Sequence, residues 1–167
     1  MKYLFILTFI IIYAFFGLNL GYTETFPVWK HITYSFQHDG FFHLLVNSIT
    51  FFLLFRVLQK HMLSSHIALI ALFVAFSMSF FCLYSRVVVG SSGLIYAMIG
   101  IFFFLVTIRK IKFKNQIALV TSIVSVITFL VISFFRVNSA GMLHLLCLVF
   151  GYLISIFYYL IFNSKLK

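Results

Sequence analysis

Acidic residues are almost absent from this chain: one Glu (Glu24) and one Asp (Asp39) in 167 residues. Proline and tryptophan occur once each, as Pro27 and Trp29, cysteine occurs twice, and charged residues of all kinds make up 8%. A soluble domain carries about 25% charged and about 45–50% apolar residues. At 64% apolar, this chain lacks the polar groups needed to cover its own surface in water. That excludes a soluble enzyme, a disordered segment, a disulfide-rich secreted domain and a nucleic-acid-binding domain. The net charge of +10 reflects the scarcity of acids rather than an abundance of Lys and Arg. Cys82 and Cys147 sit apart in apolar runs and form no C-x-x-C pair, so they read as small core residues and not as a disulfide or zinc site.

What the chain does contain is long apolar runs. Six occur, at about 4–20, 42–58, 67–83, 92–108, 116–135 and 142–162, separated by short polar clusters. A membrane-spanning helix needs about 20 apolar residues. The predicted fold is therefore an all-α, polytopic membrane protein with six transmembrane helices, one domain over residues 1–167. The first run is too long for the apolar region of a signal peptide. The sequence Asn19-Leu20-Gly21-Tyr22 that follows it offers no small-x-small cleavage site, so it reads as a retained helix. With the N-terminus in the cytoplasm, Lys2, Arg56, Lys60, Arg109, Lys110, Lys112, Lys114, Lys165 and Lys167 fall on the cytoplasmic side, and Lys30, Arg86 and Arg136 outside. This positive-inside bias puts both termini in the cytoplasm. The first outer loop, about 21–41, holds both acids, Pro27, Trp29 and two histidines; Tyr22 and Trp29 read as interfacial aromatics there.

Polar groups inside spans are costly and are functional candidates by default. His43 and Asn47 are four residues apart, on one face of the second span. Ser92 opens the fourth span, with Tyr96 one turn on, and His144 lies near the start of the sixth. Even-numbered helices all enter from outside, so these groups share one membrane depth. A serine hydroxyl becomes a nucleophile when a base, most often histidine, takes its proton. An oxyanion needs preorganised donors such as backbone N–H groups, Asn and His. Other hydrolytic mechanisms lack their residues: no span holds the Glu of an H-E-x-x-H helix, two intramembrane carboxylates, or the acid of a Ser–His–Asp triad. What remains is a Ser92–His144 dyad, with Tyr96 placed to stack on the imidazole.

The run Val89-Gly90-Ser91-Ser92-Gly93-Leu94-Ile95-Tyr96 resembles the G-x-S-G signature that opens the fourth helix of rhomboid intramembrane serine proteases. His43-Leu44-Leu45-Val46-Asn47 resembles that family's H-x-x-x-N in the second helix, and His144 with Gly151 its sixth-helix histidine and following small residue. Trp29-Lys30, followed by His38, resembles the W-R and histidine of its first loop. The three main motifs stand in order, 49 and 52 residues apart. The resemblance covers the whole chain. It implies Ser92 as nucleophile, His144 as general base, and His43, Asn47 and the Ser92 N–H as oxyanion donors, supported by Tyr96, Gly90 and Gly93. It implies an intramembrane serine endopeptidase with no cofactor and no metal, acting on other transmembrane proteins near the outer membrane face. The partners are then those substrates and the lipid bilayer, with no nucleic acid. The Phe-, Ile- and Lys-rich composition points to a bacterial cell membrane. Lys30 departs from the family's Arg, and Cys147 stands where glycine is common, which implies a slight spread of helices four and six.

Each of these residues also has a plainer reading. Ser92 could be a helix N-cap, His144 a core histidine, His43 and Asn47 cross-links to the first loop, and Tyr96 packing. Ser91 is the competing hydroxyl and reads as a loop or capping group. His38 reads as loop-ordering, His31 as interfacial, and His61 and His66 as solvated. Gly93, Ala97, Gly100 and Gly151 supply close approach between helices four and six. The alternative function is a catalytically inactive, rhomboid-like membrane binding protein. A transporter is disfavoured, because no charge lies deep in a span and no inverted repeat is visible.

Overall fold

The structure is a computed structural model that describes residues 1–15, 20–25, 27–82, 84–135 and 140–163. Asn19, Arg136, Lys165 and Lys167, which entered the topology reading, lie outside the described residues. Seven α-helices occur among the described residues: α1 (Lys2–Phe15), α2 (Lys30–Thr33), α3 (Phe41–Leu58), α4 (Ser64–Ser79), α5 (Ser92–Thr107), α6 (Gln116–Phe135) and α7 (Gly141–Asn163). A 3-10 turn, Tyr34–Phe36, follows α2. Each apolar run of the sequence overlaps one long helix, so runs one to six become α1, α3, α4, α5, α6 and α7.

Helix α5 is the axis of the bundle. It packs on α7 most extensively and also on α4 and α3, and ten of its sixteen residues are buried. Its sequence alternates bulky residues with Gly93, Ala97 and Gly100, and the small side chains let the α7 backbone approach. A Cβ on Gly100 would lie 2.6 Å from the Tyr152 nitrogen and 2.9 Å from the Gly151 carbonyl carbon, and would overlap the Leu148 carbonyl oxygen. A Cβ on Gly151 would meet the Ala97 backbone at 2.9 Å from its Cα and carbonyl carbon, and closer still to its oxygen. The two helices therefore cross backbone to backbone, the geometry that small residues permit inside membranes. Cys147 is fully buried beside Gly93 without opening this contact.

The outer helices present apolar side chains outward. Helix α6 packs chiefly against α7, and only 6% of its most apolar window is buried. Ile117, Phe129 and Phe135 of α6, with Phe15 of α1 and Phe42 of α3, are largely exposed. Such a rim is stable in lipid and not in water. Helices α3, α6 and α7 are long and apolar enough to cross a membrane; α1, α4 and α5 are apolar but shorter. At 1.5 Å per residue, the 16 residues of α5 rise about 24 Å, short of a hydrocarbon core of about 30 Å.

That segment and the first loop are locked together. Tyr22 and Val88 form an isolated antiparallel bridge, with N–H···O distances of 3.2 and 2.9 Å, and the Glu24 N–H donates to the Tyr84 carbonyl at 3.1 Å. Gly21 allows this approach: a Cβ there would lie 2.6 Å from a Val89 methyl and 2.8 Å from the Val88 oxygen. The Tyr22 hydroxyl donates to the Cys82 carbonyl at 3.1 Å and the Tyr34 hydroxyl to the Ala75 carbonyl at 3.2 Å. Val88, Gly90 and Ser91 are buried, so the non-helical backbone leading directly into α5 has protein around it, as a membrane environment requires.

The loop departs from its sequence reading. Tyr22, expected at the interface, is fully buried. His31 is buried too: its Nδ1–H faces Ser79 Oγ at 2.8 Å, while that hydroxyl donates to the Phe76 carbonyl at 2.6 Å. The His31 ring stacks on Phe80 at 4.2 Å and lies 4.6 Å from Tyr22. At the far end of the bundle, His66 is not simply solvated, since its Nδ1 is 2.9 Å from the Tyr158 hydroxyl. Lys2 reaches Gln59 at the same end, 3.3 Å away.

Candidate functional site

Four elements converge where α5 begins. Segment 80–91 delivers Ser91 and Ser92 to the N-terminus of α5, and Gly90 makes the turn with φ +123°, a left-handed conformation that favours glycine. The Gly90 N–H is held by the Tyr34 carbonyl at 2.9 Å. Ser91 occupies the N-cap position but makes no side-chain cap bond. Its hydroxyl instead meets His38 Nε2 at 3.2 Å, and its N–H donates to the same nitrogen at 3.5 Å. The capping reading of Ser91 therefore gives way to a tie between the first loop and the start of α5. Ser92 is the first residue of α5, and its N–H has no intrahelical acceptor.

His144 stands in the first turn of α7, and its Nε2 is 2.8 Å from Ser92 Oγ. The Tyr96 ring stacks on the imidazole with centroids 4.5 Å apart and planes 17° apart. His144 Nδ1 is buried with no hydrogen-bond partner among the described residues, where stacking, and not a carboxylate, sets the ring's orientation. With Nε2 accepting from the serine hydroxyl, the ring proton sits on Nδ1. The backbone crossing of Gly151 on Ala97, about two turns below His144, holds α5 and α7 at the spacing this contact needs.

On the other side, α3 presents His43 and Asn47. Asn47 is buried and its Nδ2 has no partner among the described residues, an unsatisfied donor of the kind that costs about 1–3 kcal/mol when nothing accepts from it. Both side chains border Gly90: a Cβ there would lie 2.8 Å from His43 Nε2 and 3.5 Å from Asn47 Nδ2. Gly93 is equally constrained, with the Tyr34 hydroxyl 2.8 Å from where its Cβ would be. The structure thus gathers Ser92, His144, Tyr96, His43, Asn47, Gly90 and Gly93 into one region.

Sequence reasoning missed the layer that supports this region. Tyr34 and Gln37 are buried, with the Tyr34 carbonyl on Gly90 and Gln37 Oε1 accepting from the Leu20 N–H at 2.7 Å. His38, set down as loop-ordering, touches Ser91 directly. Burial, and then the neighbouring His43, push its pKa down to about 4, so it is neutral and accepts from Ser91. The only signal of this layer was the concentration of polar and aromatic residues in one loop.

The arrangement provides a hydroxyl hydrogen-bonded to an imidazole, an uncapped helix N-terminus that favours negative charge, and an unsatisfied amide donor. A family model described as Rhomboid domain matches residues 25–161. A Bacillus subtilis (strain 168) protein named "Putative rhomboid protease YdcA" is 29% identical over 150 residues, which cover 83% of this chain and 71% of that protein.

Proposed function

The chain belongs to the rhomboid family, and from that premise we propose that it is an intramembrane serine endopeptidase working through a Ser92–His144 dyad. The observation that carries this reading is the 2.8 Å contact between His144 Nε2 and Ser92 Oγ at the uncapped start of α5. Ser92 Oγ attacks the scissile carbonyl as His144 Nε2 takes its proton. The resulting oxyanion accepts hydrogen bonds from Asn47 Nδ2, His43 and the Ser92 N–H, where the positive end of α5 adds to the field. The protonated His144 then gives its Nε2 proton to the leaving amine, and the serine ester remains. Water, with His144 again as base, hydrolyses the ester and restores the free hydroxyl. Tyr96 keeps the ring in plane throughout.

The substrates are other transmembrane proteins, cut near the outer membrane face. An intact helix shields its carbonyls in intrahelical hydrogen bonds, so the cleaved segment must unwind locally. Residues 1–167 act as one domain of six spans with both termini in the cytoplasm of a bacterial cell. Packing of α1 on α3, and the gathering of Lys2, Arg56, Lys60, Arg109 and Lys110 at the end of the bundle opposite Ser92, support this topology. Purified wild type and Ser92→Ala, incubated in detergent with a generic transmembrane substrate, test the function. Wild type cleaves and the variant does not. Equal cleavage by both would overturn the Ser92 protease reading, and no cleavage above background by either would favour a non-catalytic membrane binder of the same fold.

A further inference from the structure

The chain's single Asp, which the sequence left without a role, sits against an oxyanion-side residue. Asp39 Oδ1 is 2.5 Å from His43 Nδ1, four residues on. An ionised carboxylate only accepts hydrogen bonds, so Nδ1 is the donor of this pair. The ring's opposite edge faces Gly90: the Cβ position there is 2.7 Å from His43 Cε1 and 2.8 Å from Nε2, with Asn47 Nδ2 beside it. Asp39 thereby turns Nε2 toward the start of α5.

This has a chemical consequence. A neutral imidazole whose only proton is given to Asp39 would aim a lone pair at the oxyanion, and the two would repel. To donate from Nε2, the ring must carry both protons. The other groups around it are the His38 ring, edge-on with centroids 5.1 Å apart and itself neutral, the Asn47 amide, and His144 of α7, close enough to interact with its charge. None of these offsets a positive imidazole. Asp39 is the negative group in contact with it.

We propose that Asp39 is a positioning residue that orients His43 and balances its imidazolium form, making His43 Nε2–H a charged hydrogen-bond donor to the oxyanion. The inference rests on the protease reading above. It places the carboxylate absent from the Ser92–His144 dyad on the oxyanion side of the same site. A merely structural alternative exists, since an acid just before the N-cap Gly40 also complements the dipole of α3. The two differ in whether the effect of Asp39 passes through His43.

The test is a double-mutant cycle on Ser92-dependent cleavage, with kcat and KM measured separately. Asp39→Ala lowers kcat about threefold to tenfold with KM unchanged, a modest loss because the pair is partly exposed. Asp39→Asn also lowers kcat, because an amide accepts the hydrogen bond without balancing the charge; Asp39→Glu recovers part of the loss. In a His43→Ala background, Asp39→Ala has no further effect, read from the rate of fluorophosphonate labelling of Ser92 where cleavage is too slow. Wild-type kcat in Asp39→Ala or Asp39→Asn, or the same loss with and without His43, overturns the proposal while the protease reading stands. Absence of any Ser92-dependent cleavage by wild type overturns the protease reading itself.

Discussion

Replacing Gly151 by Ala tests whether the backbone crossing of α5 and α7 sets the distance between the two reacting groups. The new methyl carbon would lie 2.9 Å from both the Cα and the carbonyl carbon of Ala97, and closer to the oxygen. Carbon–carbon contacts settle at about 3.5–4.0 Å, so the helices must part by roughly 0.6–1 Å. Neither side can give by rotating a side chain, because both surfaces are backbone. The added separation acts about two turns from His144, and it stretches the 2.8 Å hydrogen bond to Ser92 to about 3.5 Å, where little of it survives. Overpacking of this kind costs about 1–3 kcal/mol of stability. A misplacement near 1 Å costs about a hundredfold in rate. The assay is cleavage of a transmembrane substrate by Gly151→Ala in detergent, beside its thermal unfolding midpoint. The expected result is a fall in kcat of about a hundredfold with a lowered midpoint. Gly40→Ser is the contrast: a Cβ there meets open space and its hydroxyl can cap α3, so activity is retained. Wild-type kcat and an unchanged midpoint in Gly151→Ala would show that this crossing does not set the Ser92–His144 distance.

Tyr96→Phe preserves the stacked ring and is expected to keep kcat near wild type, whereas Tyr96→Ala lowers it about tenfold; equal rates for the two variants would show that stacking does not orient His144. Gly90→Ala places a methyl against the His43 ring at a φ of +123° and is expected to abolish cleavage; retained activity would show that the turn can be rebuilt elsewhere. Because burial lowers the His38 pKa to about 4, below the 6.5 of the unfolded chain, the unfolded state binds more protons between these values. Stability is therefore full above pH 6.5 and falls by about 3 kcal/mol as pH drops toward 4. Unfolding midpoints across pH 4–8 should show this slope, reduced in His38→Gln; an unchanged slope in that variant contradicts the assignment.

The sequence made the helices legible and obscured the loop for one reason: apolar runs record lipid contact and core burial, not where helices end. Run 116–135 matches α6 residue for residue, because lipid surrounds it. Run 67–83 does not match α4, which begins at Ser64, where polar residues start the helix outside the apolar zone, and ends at Ser79. Phe80 and Cys82 are apolar yet non-helical, since one stacks on His31 and the carbonyl of the other receives the Tyr22 hydroxyl. Ser92, His144, His43, Asn47 and Tyr96 stood out because each is polar where its neighbours are not. Tyr34, Gln37 and His38 did not, because a polar residue in a polar loop looks solvated until the backbone groups it satisfies are seen. The pairing of His38 with Ser91 depends on how segment 80–91 folds back beneath the first loop, which no local spacing encodes; that of Asp39 with His43 is a local contact four residues apart, obscured because Asp39 lies in the loop before α3.

The claim that Ser92 and His144 form a nucleophile–base pair is tested most directly by intact-mass and peptide mapping of the protein after exposure to a fluorophosphonate. A nucleophile–base pair gives a single adduct on Ser92 in wild type, lost in His144→Ala. An adduct on Ser91, or labelling of Ser92 at the wild-type rate without His144, would contradict it.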